Sequence, residues 1–485
     1  MQTKENNLTT LNLLPSVDVL LKTATAKSLI ERIGTKSATE IVRKSIDDLR
    51  QNLRRDSETF ANFSRQDFSQ HIENKLESAF NDGQKHRFQK VVNATGVVVH
   101  TNLGRAPLSK KAQAAIAETA SRYCTLEYNL ETGKRGKRGS EAESAFCKIT
   151  NAESCLIVNN CAAAAFLTLT ALGANGETIV SRGELVEIGG DFRVPDILRQ
   201  SNSKLVEVGT TNRTKLRDFS EAITENTKLL LRVHPSNFRI VGFTEMPQMQ
   251  DLANLAHEKN VILYEDAGSG ALIDLSKFGL TDEPIIADSI KAGVDVVTFS
   301  ADKLLGGCQA GIIVGKQNVV DKLRKHPLYR ALRVDKIAYA ALSATLESYM
   351  KDVHFDEIPV LKMIAMSFDT IQNRAENFIS NFKSQASNYQ DEKSDFGLWT
   401  LDFGLKEGIS AIGGGSAPLT RLKTCLIALK HEKLSPDELE KSLRFHNPPI
   451  IARIENDNVL IDLRTVHESE EAEIIAALVK INNEN

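Results

Sequence analysis

Apolar positions between Ser16 and Phe80 recur at helical intervals. Val17, Leu20 and Leu21 are followed by Ile30 and Ile33, then by Ile41, Ile46 and Leu49, set among many charges. This spacing predicts helices rather than strands. Pro15, Ser16 and Asp18 supply a helix start. A thinner helical pattern covers about Phe60 to Phe80, and the polar stretch from Asn81 to Gln89 reads as a connector. From Val91 the pattern changes to short apolar runs alternating with amphipathic helices. The runs are CLIV (155–158), ETIV (177–180), KLLLRV (228–233), VILYED (261–266), DVVTFS (295–300) and GIIVG (311–315), with helical patterns at Ala162 to Leu172 and Gln248 to Glu258. Such alternation predicts an α/β domain with a mostly parallel sheet covered on both faces. Beyond about Phe355, helices mix with two strand candidates, IIARIE (450–455) and NVLIDLR (458–464), as in a smaller α+β domain. The expected organisation is therefore a helical module over 1–80, a large domain over 81–354 and a small C-terminal domain over 355–485.

Composition narrows the class only slightly. The 485 residues are 41% hydrophobic and 25% charged, ordinary for a globular protein. No apolar run approaches the roughly 18–20 residues that span a bilayer. The first residues lack the apolar core of a signal peptide, so a cytoplasmic protein is expected. Six cysteines stand singly, with no CxxC pair, which favours neither a zinc site nor a disulfide framework. The net charge of −3 excludes a strongly basic nucleic-acid binder, although residues 1–92 carry 15 basic against 12 acidic side chains. No metal site is expected.

The chemistry concentrates at the ends of three strand candidates. Lys303 leaves the run ending at Ser300 and enters the pair Gly306 and Gly307. An amine in an apolar pocket is a usable nucleophile toward an aldehyde, and glycines behind it let backbone approach a planar ligand. Ser300 is placed to give its hydroxyl to a phosphate. Asp266 ends VILYED, in position to hold a pyridine nitrogen protonated, although a carboxylate there also caps turns. Asn160, Cys161 and Ala162 join a strand to a helix, where free N–H groups and the helix dipole seat phosphate. Gly173 and Gly176, at the end of that helix, read as a C-cap. No GxxxxGK[ST] loop occurs, which disfavours a P-loop enzyme. Lysine, acid and phosphate loop together point to pyridoxal 5'-phosphate.

The chain also resembles the bacterial L-seryl-tRNA(Sec) selenium transferases, within the aspartate-aminotransferase fold family. The resemblance is carried by VNATGVVVHTNLGRA (92–106), YNLETGKRG (128–136), SRGELVEIGG (181–190), VGTTNRT (208–214) and VHPSNF (233–238). It continues through DKLLGG (302–307), RALRVDK (330–336), GGGS (413–416) and IARIE (451–455). It implies conversion of seryl-tRNA(Sec) to selenocysteinyl-tRNA(Sec) with selenophosphate as donor, by β-elimination to an aminoacrylyl group and addition of selenium. It further implies Lys303 as the cofactor lysine and base, and Asp266 as the ring acid. Arg105, Arg330 and Arg333, with Thr210, Thr211 and Asp302, would be the donor site. The helical module would bind tRNA, and the subunits would assemble as a ring of dimers. Arg453 stands where related folds hold a substrate carboxylate.

Several positions depart from the family's pattern. Ala301, Cys308, Cys161 and Ala267 replace glycine, proline, asparagine and leucine respectively, and Gly139, Ser140 and Glu141 follow the basic loop in place of Tyr-Asp-His. These departures touch donor and tRNA specificity more than cofactor chemistry. Arg330 and Arg333 also read as part of a solvated basic helix face with Lys322, Arg324 and Lys325. Two other readings remain: a related lyase acting on a small amino acid or amino-sugar phosphate, and a tRNA-binding homologue without catalysis. The helical module favours the transferase over a lyase unless it serves as an oligomer contact or lid. Lys303, Asp266 and Ser300 together favour an enzyme over a binding protein.

Overall fold

The computed structural model describes residues 13–55, 59–60, 63–84, 88–190, 192–387 and 400–484. The first twelve residues of the expected helical module therefore lie outside the described residues. The chain divides into two compact units, Met1–Lys90 and Val91–Asn485.

The first unit is helical, with α1 (Val17–Leu20), α2 (Ala24–Ile33), α3 (Thr35–Arg55) and α4 (Arg65–Gln84). Ser16 caps α1 and Thr23 caps α2, each side-chain oxygen taking an N–H of the first turn. Gly34, at φ 81°, separates α2 from α3. Leu20, Leu29, Val42, Ile46, Leu49, Phe68 and Ile72 form one buried cluster. Helix α4 runs to Gln84, through the first part of the expected connector. Polarity alone does not end a helix, and no breaker precedes Gly83.

The second unit is built on a seven-stranded sheet. After β1 (Val92–Asn93), its strands are β2 (Ser154–Val158), β3 (Glu177–Ser181), β4 (Lys204–Val208), β5 (Thr227–Val233), β6 (Ile262–Gly268), β7 (Val296–Ser300) and β8 (Gly311–Gly315). Their order is β2-β8-β7-β6-β5-β3-β4, and only β8 runs antiparallel to its neighbours. Because helices cover both faces, β2, β3, β7 and β8 are buried at every position. Alternate residues divide between two cores. Val158, Leu231, Val233, Tyr264 and Val296 pack on the face carrying α5 (Cys161–Gly173), whereas Ile157, Leu230, Leu263, Val297 and Phe299 fill the opposite face. Helix α5 ends at Gly173, and Asn175 takes the left-handed φ of 59°. The asparagine, not a glycine, thus makes that turn.

Farther along come α6 (Pro327–Leu332) and α7 (Lys336–Met350), then α8 (Phe368–Ser387). The C-terminal part forms an antiparallel sheet in the order β9 (Leu401–Ser410), β10 (Leu422–His431), β13 (Asn458–Asp462), β12 (Arg453–Glu455). Its core of Phe378, Phe382, Ile427, Leu429, Ile461 and Leu478 also takes in Val92. The link is direct: β1 pairs parallel with β11 (Ile450–Ile451). Two ten-residue strands here, β9 and β10, stand where the sequence pattern showed none. Strand β9 is an edge strand, half exposed and interrupted by Gly404 and Gly408, so its alternation is weak. Among the described residues, no helix is long and apolar enough to cross a membrane.

Candidate active site

The alternation that divides the cores also builds the site. Asp266 lies two residues beyond Tyr264, and Thr298 and Ser300 lie two and four beyond Val296, so all face the side covered by α5. Cys161, the first residue of α5, brings its thiol to 3.5 Å from Asp266 Oδ1. Thr298 Oγ1 donates to the same oxygen at 3.2 Å, and Tyr264 Oη stands 2.8 Å from Thr298 Oγ1. Asp266 is buried. Burial pushes its carboxyl above the usual carboxylate range, against the pull of the Cys161 and Thr298 donors and of the Lys303 charge. Burial likewise pushes the Cys161 thiol and the Tyr264 phenol well up, and the neighbouring Asp266 charge adds to both.

Lys303 follows β7 in a tight turn. Ala301 N–H donates to Ala310, Gly307 N–H to Ala301, and Leu304 N–H to Ser269. Lys303 is only 6% exposed, and its amine takes no hydrogen bond or ion pair among the described residues. The two glycines behind it are needed by the protein's own packing. A Cβ on Gly306 would lie 2.3 Å from Ile358 Cγ2, and one on Gly307 would lie 3.2 Å from the Ala301 carbonyl oxygen. They close the turn on the protein behind the lysine. Gly270, at φ 78°, does the same for the strand-end loop of β6, where a Cβ would strike the Ser300 carbonyl at 2.3 Å.

At the start of α5, the Asn160 side chain caps Ala163 N–H at 2.8 Å. The N–H groups of Cys161 and Ala162 take no backbone or side-chain acceptor among the described residues. Asn159 N–H donates to Leu332 at 2.9 Å, and Val158 bridges Arg333, which ties the end of α6 to this loop. Arg333 keeps its Nε buried and unpartnered, with its Nη1 3.8 Å from Glu127. Glu127 also binds Arg135 at 2.7 Å and Arg138 at 2.6 Å. The hydrogen bond from Arg138, more than burial opposes it, holds this carboxyl below its ordinary range. Sequence reasoning passed over Glu127; the two arginines of the basic loop were the available signal.

Of the other residues singled out in the sequence, Arg105 pairs with Asp302 at 2.7 Å, and its backbone takes a left-handed φ of 64°. Asp302 is thus paired, whereas its sequence neighbour Lys303 has no partner among the described residues. Thr210 and Thr211 sit in an exposed turn after β4, where Thr210 Oγ1 donates within the turn to Arg213. Arg330 lies exposed on α6 and forms no ion pair among the described residues. The geometry therefore gathers Cys161, Asp266, Ser300 and Lys303, and separately Arg105 with Asp302. No contact joins Thr210, Thr211 or Arg330 to them. Arg453 Nη2 donates to Ile409 at 3.1 Å, leaving a buried, unpartnered Nε. Beside β6, His234 N–H donates to the Asp266 carbonyl, while His234 Nε2 lies 3.5 Å from Glu283, at the edge of hydrogen-bond reach.

These features fit a planar aldehyde carrying a phosphate. The free amine suits the aldehyde, the buried carboxylate a protonated ring nitrogen, and the uncapped N–H groups of α5 a phosphate.

Comparison with known proteins gives the same direction. The family described as L-seryl-tRNA selenium transferase matches residues 91–467, and that described as selenocysteine synthase N terminal matches 13–50. A Clostridium perfringens L-seryl-tRNA(Sec) selenium transferase is 48% identical over 82% of this chain and 84% of its own. One from Alkaliphilus metalliredigens is 44% identical over 96% of this chain and 98% of its own. Among solved structures, a D-glucosaminate-6-phosphate ammonia-lyase superposes with a TM-score of 0.56 at 21% identity, covering 83% of this chain and 98% of that one. The fold is aspartate-aminotransferase-like.

The close contact between β8 and the α5 loop gives a direct test. A Cβ on Gly311 would sit 2.0 Å from the Asn160 carbonyl oxygen, whereas one on Gly404 would meet nothing within 4 Å. Gly311→Ala is expected to cost about 2–3 kcal/mol or more in denaturant unfolding, against roughly 0.5 kcal/mol or less for Gly404→Ala. Equal midpoints for the two variants would contradict the packing described.

Proposed function

The chain belongs to the L-seryl-tRNA selenium transferase family, and from that membership we propose how its own residues serve the reaction. The reaction is the pyridoxal-phosphate-dependent conversion of L-seryl-tRNA(Sec) to L-selenocysteinyl-tRNA(Sec). When bound, the cofactor supplies an electron sink that acidifies the serine α-hydrogen and lets the β-hydroxyl leave. Lys303 Nζ would hold the cofactor aldehyde and, when free, would accept the serine α-proton and later return it. Asp266 keeps the ring nitrogen protonated. Ser300, Asn160 and the N–H groups of Cys161 and Ala162 hold the phosphate. The observation that carries this reading is a buried amine, without a partner among the described residues, beside a buried carboxylate at the ends of two adjacent strands.

Selenophosphate is the proposed selenium donor. A small polyvalent anion calls for fixed guanidinium charge. Arg105, held by Asp302, and Arg333, beside the phosphate loop with Nε free, are the best-supported ligands. Arg330, Thr210 and Thr211 rest on the family's motifs alone. Assembly as a homo-oligomer and a cytoplasmic setting are part of the same proposal. Exposed apolar side chains such as Leu130, Val241 and Phe243, 77–92% accessible, support the former.

The helical first unit is the proposed tRNA-binding module, the feature that separates this reading from a small-molecule lyase. Lys36, Arg43, Arg50 and Arg54 are exposed on α3 at intervals of seven, seven and four residues, forming a basic stripe along one side of the helix. Such a stripe suits an RNA backbone, although Asp47 pairs with Arg50 within it.

Three experiments test these roles. The purified protein is expected to be yellow and to bleach with borohydride, leaving a pyridoxyl group on Lys303; Lys303→Ala should abolish the adduct, and a label on another lysine would sink the assignment. In the same protein, Arg333→Ala should still eliminate water from seryl-tRNA yet fail to complete the reaction at modest donor concentrations. Equal loss of both halves would contradict a donor-binding role. For the module, Arg43→Glu with Arg54→Glu should weaken tRNA binding and flatten its dependence on salt, while cofactor uptake is unchanged. Undiminished tRNA affinity would remove the stripe from the interface.

A further inference from the structure

Asp266 receives two side-chain donors, and both go to the same oxygen. Cys161 Sγ lies 3.5 Å from Oδ1 and Thr298 Oγ1 lies 3.2 Å from it. Behind Thr298 stands Tyr264, whose hydroxyl is 2.8 Å from Thr298 Oγ1. Since Thr298 spends its proton on the carboxylate, Tyr264 must donate to Thr298. The result is a directed row of hydroxyls, Tyr264 to Thr298 to Asp266. Tyr264 and Thr298 are both 0% exposed. Apolar side chains, Ala165, Leu169, Leu231 and Val233 among them, line the pocket that reaches Tyr264 and Asp266.

We propose that Tyr264 and Thr298 are positioning residues that decide where the proton shared by Asp266 and the cofactor's ring nitrogen resides. This rests on the cofactor reading above and adds residues that reading does not use. The relay acts on Oδ1, and Gly268 N–H also bonds to the carboxylate. Each donor on Oδ1 also lowers the carboxylate's affinity for a proton. That matters because burial works the other way, raising Asp266's hold on a proton. A more basic Asp266 would draw the proton off the ring nitrogen, giving a neutral acid beside a neutral ring and weakening the electron sink. The groups acting on Asp266 are Cys161 from α5, Tyr264 and Thr298 from the sheet, Gly268 N–H from the end of β6, and the charge of Lys303 from the turn after β7. Lys303 gains and gives up a proton in the reaction, whereas the hydroxyl relay is fixed in the fold.

The test is to load wild type, Thr298→Val, Thr298→Ser and Tyr264→Phe with pyridoxal phosphate labelled with nitrogen-15 in the ring. The ring-nitrogen chemical shift then reports its protonation. In Thr298→Val the shift should move toward that of neutral pyridine, and kcat should fall about tenfold with KM little changed, as expected for one lost hydrogen bond to a charged group. Thr298→Ser should restore both. Tyr264→Phe should move the shift the same way by less, and it serves as the deciding variant if Thr298→Val does not fold. A wild-type shift in the variants overturns the relay, as does a Thr298→Ser as impaired as Thr298→Val, which would make the residue's role one of packing. A wild type that takes up no pyridoxal phosphate would instead overturn the cofactor reading, and the relay with it.

Discussion

As the proposed ring acid, Asp266 must keep a charge in a place where burial opposes it, and the surrounding architecture answers that constraint. The carboxylate sits at the end of a central parallel strand, on the face covered by α5. Little of it is open to water there, so fixed donors stabilise it: Cys161 at the helix start, Thr298 on the next strand and Gly268 N–H at the end of its own strand. Both side-chain donors depend on register. Asp266 lies opposite Thr298 in the β6–β7 pairing, so a slip of one residue would turn Thr298 to the other core and leave the carboxylate without it. The sheet's pairing is thus a condition of the site's chemistry as well as of its stability.

The same register fixes the helix that closes the site. Strand β8 runs antiparallel between β7 and β2, and Gly311 opposite Val158 leaves room for the Asn160 carbonyl. With the loop pressed against β8, the first N–H groups of α5 and the Cys161 thiol are carried toward the ends of β6 and β7. The end of α6 is pinned to the same loop through Leu332 and Arg333. One crowded contact therefore sets the placement of the thiol, the helix terminus and a guanidinium together.

Much of this was legible in the sequence because buried parallel strands read as unbroken apolar runs. CLIV, VILYED, DVVTFS and GIIVG all fall on strands of the large sheet, and Asp266 and Lys303 draw attention as charges at their ends. Strands β4 and β9 were missed for the converse reason. Both lie at sheet edges, are partly exposed and mix charge with apolar residues, so neither periodicity nor composition marks them. Within the site, Tyr264 and Thr298 escaped notice because aromatic and β-branched residues are what any buried strand contains. Their hydroxyls acquire meaning only when two strands are laid side by side. Gly306 and Gly307 stand out in the sequence, but the packing against Ile358 and Ala301 that they serve does not: a glycine's need for space is visible there, whereas the protein atom that fills the space is not.

The turn after β7 shows how two kinds of chemistry share one short segment. Asp302 and Lys303 are adjacent and both buried, yet the first is bound to Arg105 and the second is left free. Arg105 reaches Asp302 from a segment whose backbone takes left-handed conformations at both Gly104 and Arg105. A non-glycine residue in that region costs of order 1 kcal/mol and persists only where its surroundings enforce it. The ion pair to Asp302, with the Arg105 N–H bonded to the His100 carbonyl, supplies that enforcement. The guanidinium is consequently anchored to the very turn that presents the lysine. Any anion that engages Arg105 competes with Asp302 for it, and any shift of Asp302 moves the backbone of Lys303 directly. The arginine proposed to bind the donor and the lysine proposed to hold the cofactor are thereby joined through one peptide bond and one ion pair.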